Sequence, residues 1–369
     1  MRHIQVFIIF LLTFSGSQLN ARASFQAPQP VKIGIVGLSH SHVVPLLRNL
    51  EREDIEIVGI AENDTALCNR YVKRFGFDRS LIYNSVEVML DSTRPEGVVT
   101  FTSIFEHLKV VELCAPRGIH VMVEKPLAVS VKHARKMADL ARKHGIFLLT
   151  NYETTWYPSN YAGYRMINKG ELGELRKIIV YDGHTGPKEI NVNKEFLDWL
   201  TDPVLNGGGA VTDFGCYGAN LITWILEGEK PLSVFADLKQ YKPEVYPEVD
   251  DDATIILKYA TMEGVLHASW NWPFNRKDMH VYGNSGYAFI DDNETIRYRL
   301  SKESDEQILK VAHSEAPFHD GFAFFASVVR GETDTNPTDL SSLDNNLTVV
   351  EILEAARKSS KSGKVVKLK

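Results

Sequence analysis

The stretch Ile119-His120-Val121-Met122-Val123-Glu124-Lys125-Pro126 decides how this chain is expected to fold. An almost continuous apolar run of this length is typical of a strand that is buried on both faces of a parallel sheet. Proline at 126 cannot join a hydrogen-bond ladder, so the strand is expected to end with Lys125 at its carboxyl edge. Doubly wound sheets bind ligands at that edge, so the stretch predicts both a sheet and a place for a ligand.

Similar apolar runs alternate with helical patterns through residues 31–150. The predicted strands are Val31–Val36, Ile55–Ala61, Leu81–Tyr83, Gly97–Thr102, Gly118–Val123 and Ile146–Thr150. The predicted helices are Val43–Leu50, Thr65–Phe75, Ser85–Leu90, Glu106–Arg117 and Ser130–His144. Repeated right-handed crossovers of this kind give an α/β fold, so residues 31–150 are predicted to form a doubly wound Rossmann domain.

The pattern changes after Asn151. Strand-like runs then follow one another with few helices between them: Leu175–Tyr181, Ser233–Gln240, Ala253–Tyr259, Gly264–Trp270, His280–Tyr282 and Tyr287–Ile290, with a last helix over Asp339–Ser359. Such a succession favours an α+β domain with a large open, mainly antiparallel sheet. Residues 151–369 are therefore predicted to bind substrate and to mediate self-association.

A loop suited to a dinucleotide follows the first strand. Gly37 can make the tight turn, but Ser39 and His42 stand where two further glycines are expected, which makes the signal weak. His40 and His42 are predicted to be solvated or to face phosphate, to which Ser39 could donate a hydrogen bond. Metal ligation by the two histidines is disfavoured because no carboxylate cluster is nearby. Glu62 ends the second strand, where an acidic residue receives a ribose diol and repels a 2′-phosphate. NAD is therefore favoured over NADP.

A second polar cluster follows Gly207-Gly208-Gly209. Asp213 and Tyr217 are four residues apart and share one face of a predicted helix. The glycines are expected to let the backbone approach a bound ring. A lysine beside a tyrosine suits hydride chemistry on an alcohol, because the phenol exchanges the hydroxyl proton and the ammonium is expected to lower its pKa.

These pieces together resemble the glucose–fructose oxidoreductase / inositol dehydrogenase / MocA (Gfo/Idh/MocA) family. Glu124-Lys125-Pro126-Leu127-Ala128 and Gly207–Asn220 match its two most specific motifs, while Thr102 and His107 match its cofactor-side segment. The resemblance implies an NAD(H)-dependent oxidoreductase with Lys125, Asp213 and Tyr217 as catalytic residues. It also places Gly37, Ser39, His40, His42, Glu62, Thr102, His107, Glu124 and Lys125 at the cofactor. Many members carry histidine where this chain has Tyr217, which shifts the expected acid/base group from an imidazole to a phenol.

The second domain is expected to supply specificity for a sugar or polyol. Aromatic and charged side chains near strand ends suit such a substrate, although aromatic sheet packing is an open alternative for Trp270. With Lys125, Asp213 and Tyr217, the predicted substrate residues are Trp156, Tyr157, His184, Trp270 and Arg276, and Asn271, Trp272 and Lys277 belong to the same group of strand ends.

The first residues predict export. Ile4–Phe14 is almost wholly apolar and Ala21-Arg22-Ala23 is a small-x-small cleavage site, so residues 1–23 are predicted to be a secretory signal peptide, with 24–30 a linker. The expected location is the periplasm, with no membrane attachment after cleavage. A net charge of −6 without basic blocks gives no reason to expect nucleic acid. A homo-oligomer, either a dimer or a tetramer, is predicted from the open sheet.

Three functions remain open from the sequence. The first is net hydride transfer to or from a carbinol carbon of a carbohydrate. The second is an exported glycosidase or lyase that uses tightly bound NAD in a redox-neutral cycle, which the predicted export favours because free NAD is scarce outside the cytoplasm. The third is a non-catalytic sugar- or nucleotide-binding relative, which the altered glycine loop favours and the Lys125/Asp213/Tyr217 set opposes.

Overall fold

A computed structural model describes residues 29–368 of the chain. The predicted signal peptide, residues 1–23, and most of the predicted linker lie outside the described residues. The described part forms two sheets, one of six strands and one of nine, which confirms the predicted fold class of a Rossmann-like sheet with a second, larger sheet.

The first sheet is parallel throughout, in the strand order β3-β2-β1-β4-β5-β6. This is the doubly wound order, in which the chain switches direction between β1 and β4 and leaves a crevice at their carboxyl ends. Its elements are β1 (Val31–Val36), α1 (Val43–Arg48), β2 (Ile55–Ala61), α2 (Thr65–Phe75), β3 (Ile82–Tyr83), α3 (Val86–Thr93), β4 (Gly97–Thr100), α4 (His107–Cys114), β5 (His120–Glu124), α5 (Val131–His144) and β6 (Leu148–Asn151).

Local sequence signals explain where these helices begin and end. The Asp64 carboxylate accepts hydrogen bonds from the first backbone N–H groups of α2, and the Ser130 hydroxyl does the same for α5. Both helices end at a glycine in the left-handed conformation, Gly76 and Gly145. The predicted bounds of the strands and helices in this unit agree with the observed ones to within a few residues.

The second sheet has the order β14-β13-β12-β11-β7-β10-β9-β8-β15. Its strands pair antiparallel except for β7 with β10, so the prediction of an open, mainly antiparallel sheet is confirmed. The strands are β7 (Leu175–Gly183), β8 (Ser233–Lys239), β9 (Asp252–Lys258), β10 (Glu263–Ser269), β11 (Arg276–Gly283), β12 (Tyr287–Ile290), β13 (Thr295–Arg299), β14 (Gln307–Lys310) and β15 (Val366–Lys367). The helices are α6 (Pro158–Asn168), α7 (Lys194–Leu200), α8 (Ala210–Asp213), α9 (Gly215–Ile225), α10 (Gly321–Val329) and α11 (Leu343–Ser362).

Two late helices join the sheets. Phe324 and Phe325 of α10 are buried in the same core as Ile33 and Ile35 of the first sheet. Helix α11 packs on α9 and β8 of the second unit and also on α5 of the first unit. The carboxyl edge of the first sheet is thereby held against the second unit, and the space between them is the candidate site. Among residues 29–368, no helix is both long and apolar enough to pass through a bilayer.

Candidate active site

A cleft of about 760 Å³ lies between the two units. Lys125, just beyond β5, lines it from the first unit, and Asp213 and Tyr217 line it from α8 and α9. The cleft therefore sits at the carboxyl edge of the parallel sheet, where the sequence predicts a ligand.

The structure brings the three predicted catalytic residues together. The Lys125 ammonium donates hydrogen bonds to Asp213 Oδ1 at 2.5 Å and to the Asp213 carbonyl oxygen at 3.0 Å. Its nitrogen lies 5.1 Å from the centroid of the Tyr217 ring. Lys125 is 88 positions from Asp213 along the chain, and Asp213 and Tyr217 lie on separate helices, yet the three side chains face one cleft.

The segment that carries Asp213 and Tyr217 is not the single helix predicted. Helix α8 ends at Asp213, and Phe214 separates it from α9. The three preceding glycines serve backbone packing rather than the predicted approach to a bound ring: a Cβ at Gly209 would lie 1.8 Å from the Asp250 carbonyl oxygen. The Asp250 carboxylate also accepts hydrogen bonds from the Gly209 and Val211 amides, which fixes the turn that leads to Asp213.

Lys125 and Asp213 form a buried ion pair. Burial disfavours the charged form of both groups, but the opposite charge and the hydrogen bond of the partner favour it, and the net shift follows the partner. Asp213 thus raises the pKa of the Lys125 ammonium, and Lys125 lowers the pKa of the Asp213 carboxyl. The second Asp213 oxygen accepts a hydrogen bond from Trp270 Nε1 at 3.0 Å. The carboxylate is therefore fixed from two sides, and it orients the ammonium toward the cleft.

The predicted effect of Lys125 on Tyr217 is wrong in its net direction. Burial, together with the nearby carboxyl groups of Asp182 and Glu153, raises the pKa of Tyr217 well above its ordinary value. The Lys125 charge is already balanced by Asp213, so it does little to offset this. Tyr217 is therefore a neutral phenol at neutral pH, which makes it a proton donor.

The dinucleotide loop forms the wall of a second, smaller cavity of about 290 Å³, lined by Gly37, Ser39, Glu62 and Thr102. Gly37 has a φ of +79°, and a Cβ there would lie 2.6 Å from Thr102 Cγ2, so only glycine fits the turn. Glu62 directly follows β2, and its carboxylate accepts hydrogen bonds from the backbone amides of Leu38, Asn63 and Asp64. The tight turn, the fixed acid and the cavity beside them fit the adenosine end of a dinucleotide.

Helix α7 of the second unit crosses this loop. Trp199 Nε1 donates a hydrogen bond to the Ser39 hydroxyl at 3.1 Å, and Asn193 Nδ2 donates one to the Ser39 carbonyl oxygen at 3.1 Å. His40 is buried against the rings of Phe196 and Trp199 rather than facing open solvent. The two cavities are therefore separated by a strap, the segment Asn193–Leu200, that lies over the middle of the loop.

His42 and Glu124 form a pair inside the cleft. His42 Nδ1 lies 2.8 Å from Glu124 Oε2, and Asn151 Nδ2 donates to the other Glu124 oxygen at 3.0 Å. Burial opposes ionisation of Glu124, but His42 and the Asn151 amide lower the pKa of that carboxyl. Ligand atoms of His40, His42 and Glu124 lie within 4.8 Å of one another, so a carboxylate does stand near these histidines, contrary to expectation. The 2.8 Å contact is a hydrogen-bond distance, and Glu124 contributes to the cleft through His42.

His107 does not line either cavity. It is fully buried, and its Nδ1 lies 3.2 Å from the Leu127 carbonyl oxygen. Burial lowers the pKa of His107 to about 4, so the ring is neutral. The predicted cofactor contact is thus corrected to a support of the loop that follows Lys125.

Two predicted substrate residues lie behind the cleft wall. Trp156 Nε1 donates to Asn151 Oδ1, and its ring packs on Phe324. Trp270 is completely buried against Tyr246 and donates to Asp213. Neither ring lines the cleft, because the apolar sides of both are used in packing, which for Trp270 is the alternative that the sequence left open.

The remaining predicted substrate residues do line the cleft. The Tyr157 hydroxyl donates to Glu153 at 2.7 Å, and the His184 ring meets the Phe214 ring edge to face. Arg276 borders the cleft, but its guanidinium pairs with Asp278 and lies 3.9 Å from the Tyr181 ring centroid. That contact holds its charged end at the open face of the sheet instead of toward Tyr217.

Sequence reasoning missed three residues. Glu153 is the second residue after β6, and the rule that polar groups at the carboxyl edge face the ligand would have found it. Asp182 lies one residue before the end of β7, in a second unit to which that rule does not apply. Trp199 had no signal, because a tryptophan at the end of a short helix is ordinarily a core residue.

A parallel sheet with a dinucleotide turn, joined to an open sheet across a cleft that holds a lysine, an aspartate and a tyrosine, defines a two-domain nucleotide-dependent class of protein. Residues 31–152 match the model described as the oxidoreductase family, NAD-binding Rossmann fold, and residues 164–289 match the GFO/IDH/MocA C-terminal domain. The chain belongs to the Gfo/Idh/MocA family, as the motifs indicated.

Individual relatives agree with this assignment. The trans-1,2-dihydrobenzene-1,2-diol dehydrogenase of Macaca fuscata fuscata is 27% identical over 235 residues, which is 64% of this chain and 65% of the relative, so slightly less than two thirds of that enzyme is matched. An inositol dehydrogenase homolog from Azotobacter vinelandii, in complex with NAD+, has a TM-score of 0.80 at 18% identity and covers 93% of this chain and 98% of its own. The aldose-aldose oxidoreductase of Caulobacter crescentus, in complex with glycerol, has a TM-score of 0.77 at 21% identity and covers 92% and 100%. The two structures share the fold with this chain.

Proposed function

We propose that this protein is an NAD(H)-dependent oxidoreductase that transfers hydride to or from a carbinol carbon of a sugar, polyol or related diol. The observation that carries the proposal is the Lys125–Asp213 ion pair at 2.5 Å beside the Tyr217 ring, at the edge of a cleft of about 760 Å³. The relatives named above act on, or are bound to, hydroxylated small molecules, which supports the substrate class.

The chain's own residues divide the work. Gly37, Ser39, Glu62 and Thr102 would hold the adenosine end of NAD, with Lys125 and the His42–Glu124 pair nearer the reacting end. The nicotinamide supplies the hydride acceptor or donor. Lys125 has one ammonium hydrogen beyond the two given to Asp213, and it binds the reacting oxygen. Tyr217, neutral in the resting protein, gives its proton to that oxygen during reduction of a carbonyl group.

NAD rather than NADP is proposed as the cofactor. The Glu62 carboxylate stands at the end of β2 beside the smaller cavity, and three backbone amides fix its position. A negative charge there accepts hydrogen bonds from a ribose diol and repels a 2′-phosphate.

The test is turnover of purified protein with NAD and a panel of sugars, polyols and cyclic diols, beside Tyr217→Phe. The variant keeps the ring packing on Tyr152 but has no hydroxyl to exchange the proton of the reacting alcohol, so we expect turnover to fall by about 10²–10⁴-fold. Matched turnover by Tyr217→Phe would reject the role of the phenol, and no reduced cofactor with any substrate in the panel would reject net hydride transfer.

One observation favours a second function, a redox-neutral glycosidase or lyase that keeps its NAD. The strap Asn193–Leu200 bonds to Ser39 and is anchored from outside by the ion pair of Arg70 with Glu195 at 2.9 Å. Because the strap covers the loop, it would slow the exchange of NAD. A protein that keeps its NAD can turn over repeatedly only if each reaction cycle returns the cofactor to its starting oxidation state. Cleavage of a glycoside without net NADH, by protein that carries NAD after purification, would select this function.

Two further proposals concern assembly and location. The open face of the nine-stranded sheet carries an aromatic stripe, Tyr181, His267, His280, Tyr282 and Phe289, which suits a face-to-face homo-oligomer. Light scattering during gel filtration, with Tyr282→Glu as the disrupting variant, tests this; a monomeric wild-type protein contradicts it.

Export to the periplasm is tested by cell fractionation, which gives the compartment, and by sequencing the amino terminus of the mature chain.

A further inference from the structure

A second ammonium group faces Tyr217. Lys277 Nζ lies 4.7 Å from the Tyr217 ring centroid, slightly closer than Lys125 Nζ at 5.1 Å. Lys277 comes from β11, next to Arg276 in sequence. Because successive residues of a strand point to opposite faces of a sheet, Lys277 faces the helices and the cleft while Arg276 reaches Tyr181 on the open face.

The two lysines differ in how firmly their charge is neutralised. Lys125 pairs with Asp213, and both side chains are more than nine-tenths buried. Lys277 pairs with Glu153, and these side chains are 24% and 50% exposed. A pair that is open to solvent is weak and can rearrange, so the Lys277 charge remains free to respond to a neighbour.

A buried carboxyl group stands beside Lys277. Asp182 on β7 is the direct cross-strand partner of Lys277 on β11 and is only 2% exposed. Within the described part of the chain its Oδ1 has no hydrogen-bond partner. Burial raises the pKa of the Asp182 carboxyl well above its usual range, and the Lys277 and Lys125 ammonium groups oppose that rise by favouring the carboxylate.

We propose that Lys277 is a positioning residue of the reaction: its ammonium balances Asp182 and Glu153 and stabilises the Tyr217 oxygen when that oxygen has lost its proton. The inference rests on the proposed function. In the reducing direction the Tyr217 O–H bond breaks, the proton goes to the substrate carbonyl oxygen, and the electron pair stays on the Tyr217 oxygen. Without Lys277, that negative oxygen would face two carboxyl groups.

The charged and titratable groups around Tyr217 give variants with opposite signs. They are Lys125 after β5, Tyr152 and Glu153 after β6, Asp182 on β7, Asp213 on α8, Cys216 on α9 and Lys277 on β11. Lys277→Met removes a cation and keeps the length of the side chain, so it disfavours the ionised phenol. Glu153→Gln removes a negative charge and favours it. A general packing defect would not move the two variants in opposite directions.

The experiment follows the onset of Tyr217 ionisation by near-ultraviolet absorbance of the full-length protein, up to the highest pH at which circular dichroism shows it folded, as the difference from the Tyr217→Phe background. We expect Lys277→Met to move this onset to higher pH and Glu153→Gln to lower pH, each by about one pH unit. Lys277→Arg should remain near wild type. Lys177→Met is the matched control, because Lys177 pairs with Glu263 on the same sheet away from the cleft. Movement in the same direction, or no movement while the chain remains folded, overturns the proposal.

Kinetics give a second measurement of the same effect. Oxidation of an alcohol requires the ionised phenol, so kcat/KM for oxidation at fixed pH should fall about tenfold in Lys277→Met, recover in Lys277→Arg and rise in Glu153→Gln. The absorbance titration needs no turnover. If wild-type protein oxidises nothing, the proposed function fails while the titration still decides the place of Lys277; a fall that Lys277→Arg does not restore counts against it.

Discussion

The two ends of the cleft are built differently. At the Lys125 end, an ion pair, a phenol and a buried tryptophan are locked into one arrangement by hydrogen bonds from several elements. At the Ser39 end, two of the expected glycines are replaced, and the replacing side chains bond to α7 and Glu124 instead of leaving an open path. The chemical end is complete and the cofactor-exchange end is altered. The difference means that the residues of the proposed hydride chemistry and the residues that cover the cofactor loop are held by separate sets of contacts, so each set can be changed without the other.

The strongest way to break the chemical end is Lys125→Met. It leaves the buried Asp213 carboxylate without its cation, so the free energy of unfolding should fall by about 3–5 kcal/mol. Turnover should fall by at least about 100-fold. Urea unfolding and cofactor absorbance measure the two effects, with the exposed Lys169→Met as control. A variant of ordinary stability and activity would show that the ion pair is incidental.

Trp270→Phe tests whether the tryptophan positions Asp213 or contacts substrate. The lost hydrogen bond to a charged group should cost about 1.5–3 kcal/mol of unfolding free energy. We expect kcat to fall about tenfold with KM unchanged, because the ring does not line the cleft. A change confined to KM would return Trp270 to the substrate wall. Trp272→Phe, on the neighbouring loop, is the control.

Trp199→Phe addresses the cofactor end. Loss of the hydrogen bond to Ser39 should cost the strap about 0.5–1.5 kcal/mol, which corresponds to a two- to tenfold faster loss of bound dinucleotide. The fraction of protein that still carries NAD after gel filtration measures this. Unchanged retention would separate the strap from cofactor exchange, and Leu197→Ala on the same helix controls for its general stability.

The smallest expected effect concerns pH. Burial raises the pKa of Asp250 to about 6, against the amides of Val211 and Gly209, which favour the carboxylate. The pKa of Asp250 is higher in the folded protein than in the unfolded chain. The stability that protonation of Asp250 contributes is therefore fully present below about pH 4 and is lost as the pH rises through about 6. Asp250→Asn should flatten this dependence, seen as a smaller change of melting temperature between pH 4 and 7. An identical pH dependence in the variant would assign the effect to another group.

The first sheet could be predicted almost completely because its strands are buried on both faces, which leaves long apolar runs in the sequence. The second sheet was harder. Strands β13 and β14 carry charged residues on their exposed sides, and helix α6 is rich in Ser, Asn, Tyr and Gly, so neither type of element has a strong period.

The candidate site was predicted in outline and missed in detail for one physical reason. Motifs named Lys125, Asp213 and Tyr217, but the choice between Arg276 and Lys277 depends on which face of β11 each residue points to. That parity is fixed by the pairing of β11 with β7, a long-range contact that no local pattern reports. Likewise, the raised pKa of Tyr217 depends on Asp182 and Glu153, which come from two other elements.

Helix α11 also contacts both segments that carry the Lys125–Asp213 ion pair. Arg357 Nη2 donates to the Val129 carbonyl oxygen at 3.0 Å, just after the Lys125 loop, and Nη1 lies 3.5 Å from Thr212 Oγ1, next to Asp213. One guanidinium from near the end of the chain therefore clamps both halves of the ion pair. A fragment that stops before residue 343 would contain every residue of the cleft but lack Arg357, so we expect the last helix to be needed to align Lys125 with Asp213.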